Sequence, residues 1–288
     1  MKILARLLLL LLAISILCGC TPQAPQADIV ATTLPVYEFT ALLCQNTGLT
    51  VTQLVTENVS CLHDYSLSVQ QVKSLEAAQL VVLSGGGLED FMADLLTGKN
   101  IVDSSTGIPL LESCHDHDHE HDHESDAHFW LSPDCAKIMV SNICQGLITQ
   151  YPQHEELFRT NLADLLDQLN ALQDYANQQL SSLSCREMIT FHDGFSYFAE
   201  AFDLHILAAL EEESGSEASA AELKELITMT REHKLPAIFT EENGSDRSAN
   251  VIASDTGAKV YQLSMIMSGD SYFDAMYHNI DTVKEALG

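Results

Sequence analysis

The sequence predicts an α/β protein of two doubly wound lobes with one long helix between them. Three observations carry that prediction. From residue 28 to about 104, short apolar or β-branched runs alternate with amphipathic segments, as parallel βα repetition requires. The same alternation resumes at 187 and continues to the end of the chain. Between the two, apolar side chains recur at 158, 162, 165, 169, 172, 176, 180 and 183, a spacing of threes and fours that places them on one helical face. A chain of 288 residues is long enough for two modest cores.

The first 19 residues stand apart. Lys2 and Arg6 precede an apolar run from Leu7 to Leu17, the pattern of an export signal too short to span a bilayer well. Its end, Leu17-Cys18-Gly19-Cys20, resembles a bacterial lipobox, which implies lipidation of Cys20. Residues 20–27, rich in Pro and Gln, read as a lipidated tether.

The N-terminal lobe is expected over 28–150. Strands are expected at 28–33, 49–55, 79–84 and 100–104. The run 79–84 is apolar throughout, as a buried parallel strand should be. Helices are expected from Pro35 to about Gln45, at 67–78 and at 88–96. Ser132-Pro133 opens another, with a serine cap and proline at the first helical position. The linking segment is placed at 151–184; its periodic part would measure roughly 40 Å at the rise of an α-helix. Such a helix is either packed into a core or a backbone joining two lobes. The C-terminal lobe, 185–288, has strands expected at 187–190, 204–210, 236–240 and 258–263. Its helices are expected from 194, at 219–233, from about 246 and at 271–287.

The formal charge of −28 excludes nucleic-acid backbones and anionic lipid as partners of the body, since both require a basic surface. Of the eight cysteines, six follow Cys20: Cys44, Cys61, Cys114, Cys135, Cys144 and Cys185. Export permits disulfides, free thiols are the other reading, and the sequence alone does not choose a pairing. Gly85-Gly86-Gly87 lacks the Lys-Ser/Thr of a phosphate loop and reads as a tight turn.

Histidine carries the chemistry. His115, His117, His119, His121 and His123 alternate with acids in the run 113–126. That segment has too few apolar side chains to offset its ordering entropy, so a mobile, weakly metal-gathering loop is expected. Cys114 adjoins this run and Cys61 lies two residues from His63; both are minor metal candidates. Three further histidines stand where open α/β sheets bind ligands, beyond the carboxyl ends of strands: His63 after the strand ending near 55, His192 directly after 187–190, and His128 between the strand ending near 104 and the helix at 133. Each neighbours or closely follows an acid, Asp64, Asp126 or Asp193, and a carboxylate beside a ligating imidazole fixes its tautomer. Three imidazoles suit zinc.

The stretches HDYSLS (63–68), DAHFWLSP (126–133) and FHDGFSYFAEAF (191–202) resemble the three histidine motifs of the zinc/manganese solute-binding lipoproteins of ABC importers. LSGGGLEDF (83–91), IFTEENGSDRSANVIASDTGAKV (238–260) and GDSYFDAMYHNI (269–280) extend the resemblance across nearly all of 28–288. The resemblance implies two α/β lobes joined by one rigid helix, with a metal at the lobe interface held by His63 and His128 from one lobe and His192 from the other. It implies Zn2+ as the cargo, with Mn2+ or Fe2+ the runners-up. It further implies a monomeric receptor, not an enzyme, on the outer face of the cytoplasmic membrane (the periplasmic side in a diderm). A membrane permease and a separate ATPase would be its partners. The alternatives are a manganese or iron receptor of the same family, or a zinc-dependent hydrolase using an open coordination position. One departure stands out. The family's acidic fourth ligand should follow the strand at 258–263, where this chain reads Leu263-Ser264-Met265-Ile266. Water, or Glu241 or Glu242, is the expected substitute, with Glu213 a more distant one.

Overall fold

The computed structural model describes residues 27–57, 59, 62, 65–111, 126–210 and 218–288. The leader with Cys20, the pair His63 and Asp64, Cys61, the histidine run with Cys114, and Glu213 lie outside them.

Two four-stranded parallel sheets form the lobes. The first holds β1 (Ile29–Ala31), β2 (Val51–Gln53), β3 (Leu80–Leu83) and β4 (Ile101–Asp103), in the order β2-β1-β3-β4. The second holds β5 (Glu187–Thr190), β6 (His205–Ala209), β7 (Ala237–Glu241) and β8 (Lys259–Leu263), in the order β6-β5-β7-β8. Every ladder is parallel, and all eight expected strands are present: β5 with its expected bounds, β7 shifted by one residue to end at Glu241, and the other six trimmed. The two lobes share one strand order although no internal repeat is visible in the sequence.

Parallel strands covered on both faces bury alternate residues in opposite directions. In β1, Ile29 and Ala31 join the main core while Val30 joins a smaller cluster with Leu54, Leu75 and Val81 on the other face. In β5, Met188 and Ile189 divide in the same way. The main core does not stop at the lobe boundary. It runs from Ile29 and Val82 through Leu165 and Leu169 of the long helix to Tyr272 and Ile280.

That long helix spans Glu155–Gln179, about 37 Å at 1.5 Å per residue. Phe158, Leu165, Leu169, Leu172 and Ala176 of its expected stripe are buried. It packs on helices Leu34–Leu43 and Pro133–Gln150 of the first lobe and on Tyr272–Leu287 of the second. It is therefore both a core helix and the strut between lobes.

Local signals explain the other elements. Ser68 and Gln71 form a reciprocal capping box on Val69–Ala77, and Ser219 and Glu222 do so on Ala220–His233. The expected helix at 88–96 is instead a 3-10 turn, Asp90–Met92, followed by the short helix Ala93–Leu96. The glycine triplet before it has left-handed φ throughout. A Cβ at Gly85 would sit 2.0 Å from Asp103 Oδ1, and one at Gly86 would sit 2.6 Å from the Phe129 ring. The triplet is a turn that lets backbone pass close to neighbouring strands. Cys44, Cys135, Cys144 and Cys185 are free thiols. No helix among the described residues is long and apolar enough to cross a membrane.

Candidate metal centre

In each sheet the chain leaves two adjacent strands, β1 and β3 or β5 and β7, in opposite directions, opening a crevice beyond their carboxyl ends. His192 stands two residues past the end of β5, and Glu241 is the last residue of β7. His128 arrives from the first lobe, where it enters the 3-10 turn Phe129–Leu131. That turn leads into helix Pro133–Gln150, whose first turn is capped by Ser132 accepting from Cys135 N–H. His128 thus enters from a turn that leads into a long helix, and His192 from the bend that follows β5.

The two rings meet edge to face, their centroids 5.4 Å apart and their planes at 84°. Both residues are more than nine-tenths buried. His128 Nδ1 lies 2.9 Å from Asp126 Oδ1, which also accepts the His128 backbone N–H at 2.8 Å. The edge of the Trp130 indole packs on the same imidazole at 5.3 Å between centroids. With Nδ1 committed to Asp126, His128 presents Nε2, which is buried with no hydrogen-bond partner among the described residues. Burial alone would raise the Asp126 pKa. The His128 side chain and backbone outweigh it and hold the carboxyl below its ordinary range. On the facing lobe, His192 Nδ1 lies 3.5 Å from Glu241 Oε2, and Glu241 is itself buried. Each ring therefore has a buried carboxylate at its Nδ1 side, an arrangement that orients imidazoles for a cation at Nε2.

The structure sorts the sequence candidates. It brings together His128, His192, Asp126 and Glu241. Asp193 follows His192 half-buried, and Glu242 points into solvent at the end of β7. Among the described residues, no group of three or more His, Cys, Asp or Glu side chains is arranged to hold a metal. His63, the third imidazole, lies outside them.

Three contributors were not legible beforehand. Gly194 is so tightly enclosed that a Cβ there would lie 2.5 Å from Met265 Cε, 2.7 Å from His128 Nδ1 and 2.8 Å from His192 Cδ2. Met265 is 2% exposed and fills the wall beside both rings. Trp130 Nε1 donates to Met265 O at 2.9 Å. The one available signal was the tryptophan's position two residues after His128 in a chain with a single tryptophan.

The profile of a family described as zinc-uptake complex component A, periplasmic (ZnuA), matches residues 29–286. The chain belongs to this family. It is 30% identical over 297 aligned residues to the high-affinity zinc uptake system protein ZnuA of Bacillus subtilis strain 168, covering 94% of this chain and 92% of that protein. It is 32% identical to the zinc-binding lipoprotein AdcA of Streptococcus pneumoniae serotype 4, covering 97% of this chain and 60% of AdcA. The structure of Zn(II)-bound AdcA from Streptococcus pneumoniae superposes with a TM-score of 0.77 at 28% identity, over 91% of this chain and 58% of that one. The chain thus spans a little under two thirds of AdcA but nearly the whole of the Bacillus protein. Membership supports the zinc-receptor reading over a manganese or iron receptor and over a hydrolase, and the family is a binding component of an uptake complex.

Proposed function

We propose that this chain is the extracytoplasmic zinc receptor of an ABC importer, anchored through a lipid on Cys20, which takes Zn2+ into the crevice between its lobes and hands it to a membrane permease powered by a separate ATPase. The observation that carries the reading is the facing pair His128 and His192, one from each lobe, each with a buried carboxylate behind its Nδ1. His63 completes a three-imidazole set, a donor combination suited to Zn2+ with water in the fourth position. Glu241 faces Nδ1 rather than the open side of His192. It therefore acts as the orienting carboxylate for that ring, and water is the better fourth ligand. The Zn-bound AdcA neighbour supports zinc as cargo. The lipobox-like leader and the name of the lipoprotein relative support the anchor.

Ligating imidazoles must be neutral, so protonation below about pH 6 should empty the histidine loop at 115–123. The histidines at 115–123 gather zinc weakly for the crevice; deleting them should remove weak sites and leave one tight site. The decisive experiment is calorimetric titration of Zn2+ into the mature, untagged chain and its His63→Ala, His128→Ala and His192→Ala variants. One tight site is expected, lost in each variant. Stoichiometric tight loading in the triple variant would overturn the reading.

A further inference from the structure

The short helix Ser196–Ala201 begins soon after His192 and carries a tyrosine that touches the first lobe in two places. Tyr197 is 3% exposed. Its hydroxyl donates to Pro109 O and accepts from Leu111 N–H, each at 3.0 Å. The phenol thus uses both its donor and its acceptor, and it grips the first-lobe main chain at two points. Leu111 O in turn accepts the Asp126 N–H at 3.1 Å. Asp126 Oδ1 then accepts the His128 N–H and faces His128 Nδ1. The tyrosine ring meets Phe129, the residue after His128, edge to face with centroids 5.8 Å apart. One side chain of the second lobe therefore bears on His128 from both directions along the chain.

We infer that Tyr197 is a positioning residue for the metal centre, whose hydroxyl pins the main chain at Pro109 and Leu111 and, through Leu111 O and Asp126, fixes the orientation of the His128 imidazole. The inference rests on the zinc-receptor reading above and adds how its two facing ligands are kept in register. A buried hydroxyl bonded to two main-chain groups cannot release either without leaving a desolvated donor or acceptor behind, so the segment it holds resists displacement. The Leu111–Asp126 bond passes that resistance to the carboxylate. A carboxylate that drifts no longer lines up with the ring nitrogen it orients, and a ligating imidazole depends on that partner. The second half of the device is its place in the chain. His192 and Tyr197 belong to one stretch, with Gly194 between them tucked against His128 Nδ1. That stretch delivers the second lobe's imidazole and also sets the first lobe's, so the two rings keep their relative placement through protein contacts alone.

Tyr197→Phe tests this, because it removes the hydroxyl and leaves the ring on Phe129. In the mature, untagged chain it is expected to weaken Zn2+ binding about threefold to tenfold by calorimetry, less than loss of a group bonded to the ligand itself. Affinity alone does not separate positioning from general loosening, so two further readouts accompany it. In the apo protein, at a pH where the ring is neutral, imidazole 15N NMR should show His128 as a single tautomer protonated at Nδ1 in the wild type and as an exchanging mixture in Tyr197→Phe. Leu226→Ala, which hollows the separate core on the outer face of the second sheet, should lower the melting temperature at least as much and leave both the His128 signals and the zinc affinity unchanged. If Tyr197→Phe does not fold, hydrogen exchange on the wild-type apo chain decides the matter: the Leu111 and Asp126 amides should exchange more slowly than exposed amides. An unchanged tautomer and affinity in folded Tyr197→Phe, equal effects in Leu226→Ala, or freely exchanging amides at 111 and 126 would overturn the inference. A wild-type chain that takes up no Zn2+ would instead sink the receptor reading itself.

Discussion

The indole N–H of Trp130 reaches the main-chain carbonyl of Met265 at 2.9 Å, a buried hydrogen bond that joins the two lobes two residues along the chain from His128. Tyr272 returns the connection, its buried hydroxyl donating to Trp130 O at 2.8 Å. Glu38, on helix Leu34–Leu43, accepts the Tyr272 N–H and the Ser271 hydroxyl at 3.2 Å, so a first-lobe carboxylate caps the last helix of the second. Phe39 and Tyr272 pack edge to face at 4.7 Å. These bonds, with the core that crosses the boundary, make the lobes one packed body near the site, and binding there calls for little hinge motion.

Trp130→Phe should reveal how much the site depends on that stitch. The change leaves Met265 O without its donor inside the protein and opens space where the larger ring stood. A loss of about 2 to 4 kcal/mol in unfolding free energy is expected by urea denaturation. Zinc affinity should fall with it, because His128 and Met265 lose a shared support. An unchanged denaturation midpoint would count against the stitch.

Asp126→Asn should separate orientation from folding. The amide can still accept from the His128 backbone, so circular dichroism should be unchanged. Its loss of charge leaves only a neutral acceptor at Nδ1, which holds the ring's tautomer less firmly and raises its basicity less. Zinc affinity should drop about tenfold or more by calorimetry. Equal affinity would show that Asp126 only shapes the loop.

The elements were readable because their physics is local. The stripe from Phe158 to Ala176, the capping boxes at Ser68 and Ser219 and the apolar run of β3 need no tertiary context. His192 could be placed because strand ends in parallel sheets are where ligands go; His128, far along the chain from the end of β4, was picked out by its motif and by the serine-proline helix start that follows it. Glu241 was picked out only as a substitute ligand, since nothing in sequence says which ring nitrogen an acid will face. Met265 and Gly194 were illegible for a stronger reason. Their roles come from a close approach between segments about 70 residues apart, and a small or apolar residue carries no chemical signal of that meeting. The short helix Ala93–Leu96 was overread because its apolar spacing fits a longer helix, while the left-handed glycine turn before it delays the start.

Glu89 should give the apo protein a pH-dependent stability. It is buried, and it accepts from the Thr32 hydroxyl at 2.5 Å and from the backbone N–H groups of Ser84 and Gly85 at 2.8 and 3.0 Å. Burial pushes its pKa from 4.5 up to about 7, the three donors oppose that rise, and Asp103 adds to it. A carboxyl raised on folding binds its proton more tightly folded than unfolded. Its contribution is complete below about pH 4.5 and is lost as pH rises through about 7. Relative to Glu89→Gln, wild-type unfolding free energy should therefore decline by about 3 kcal/mol over that window. The comparison rests on slope alone, because glutamine turns an amide donor toward groups that already donate and will lower stability at every pH. Parallel curves for the two proteins would refute the shift.

Gly194→Ala tests the crevice most directly. Gly194 is not in the left-handed region, so alanine meets no backbone strain, and stiffening the unfolded chain would by itself stabilise slightly. What opposes it is contact. The new methyl would sit under 3 Å from Met265 Cε, His128 Nδ1 and His192 Cδ2 at once. The methionine tip can swing, but His128 cannot retreat without stretching its bond to Asp126. Overpacking of this kind costs about 1 to 3 kcal/mol, and here it falls on the rings themselves, so zinc affinity should drop more than stability does. Adding Met265→Ala relieves one contact of the three. The double variant should accordingly regain part of the lost stability and little of the lost affinity, measured by denaturation and calorimetry on the same samples. Full recovery of both would place the conflict on Met265 alone and leave the two imidazoles free to move.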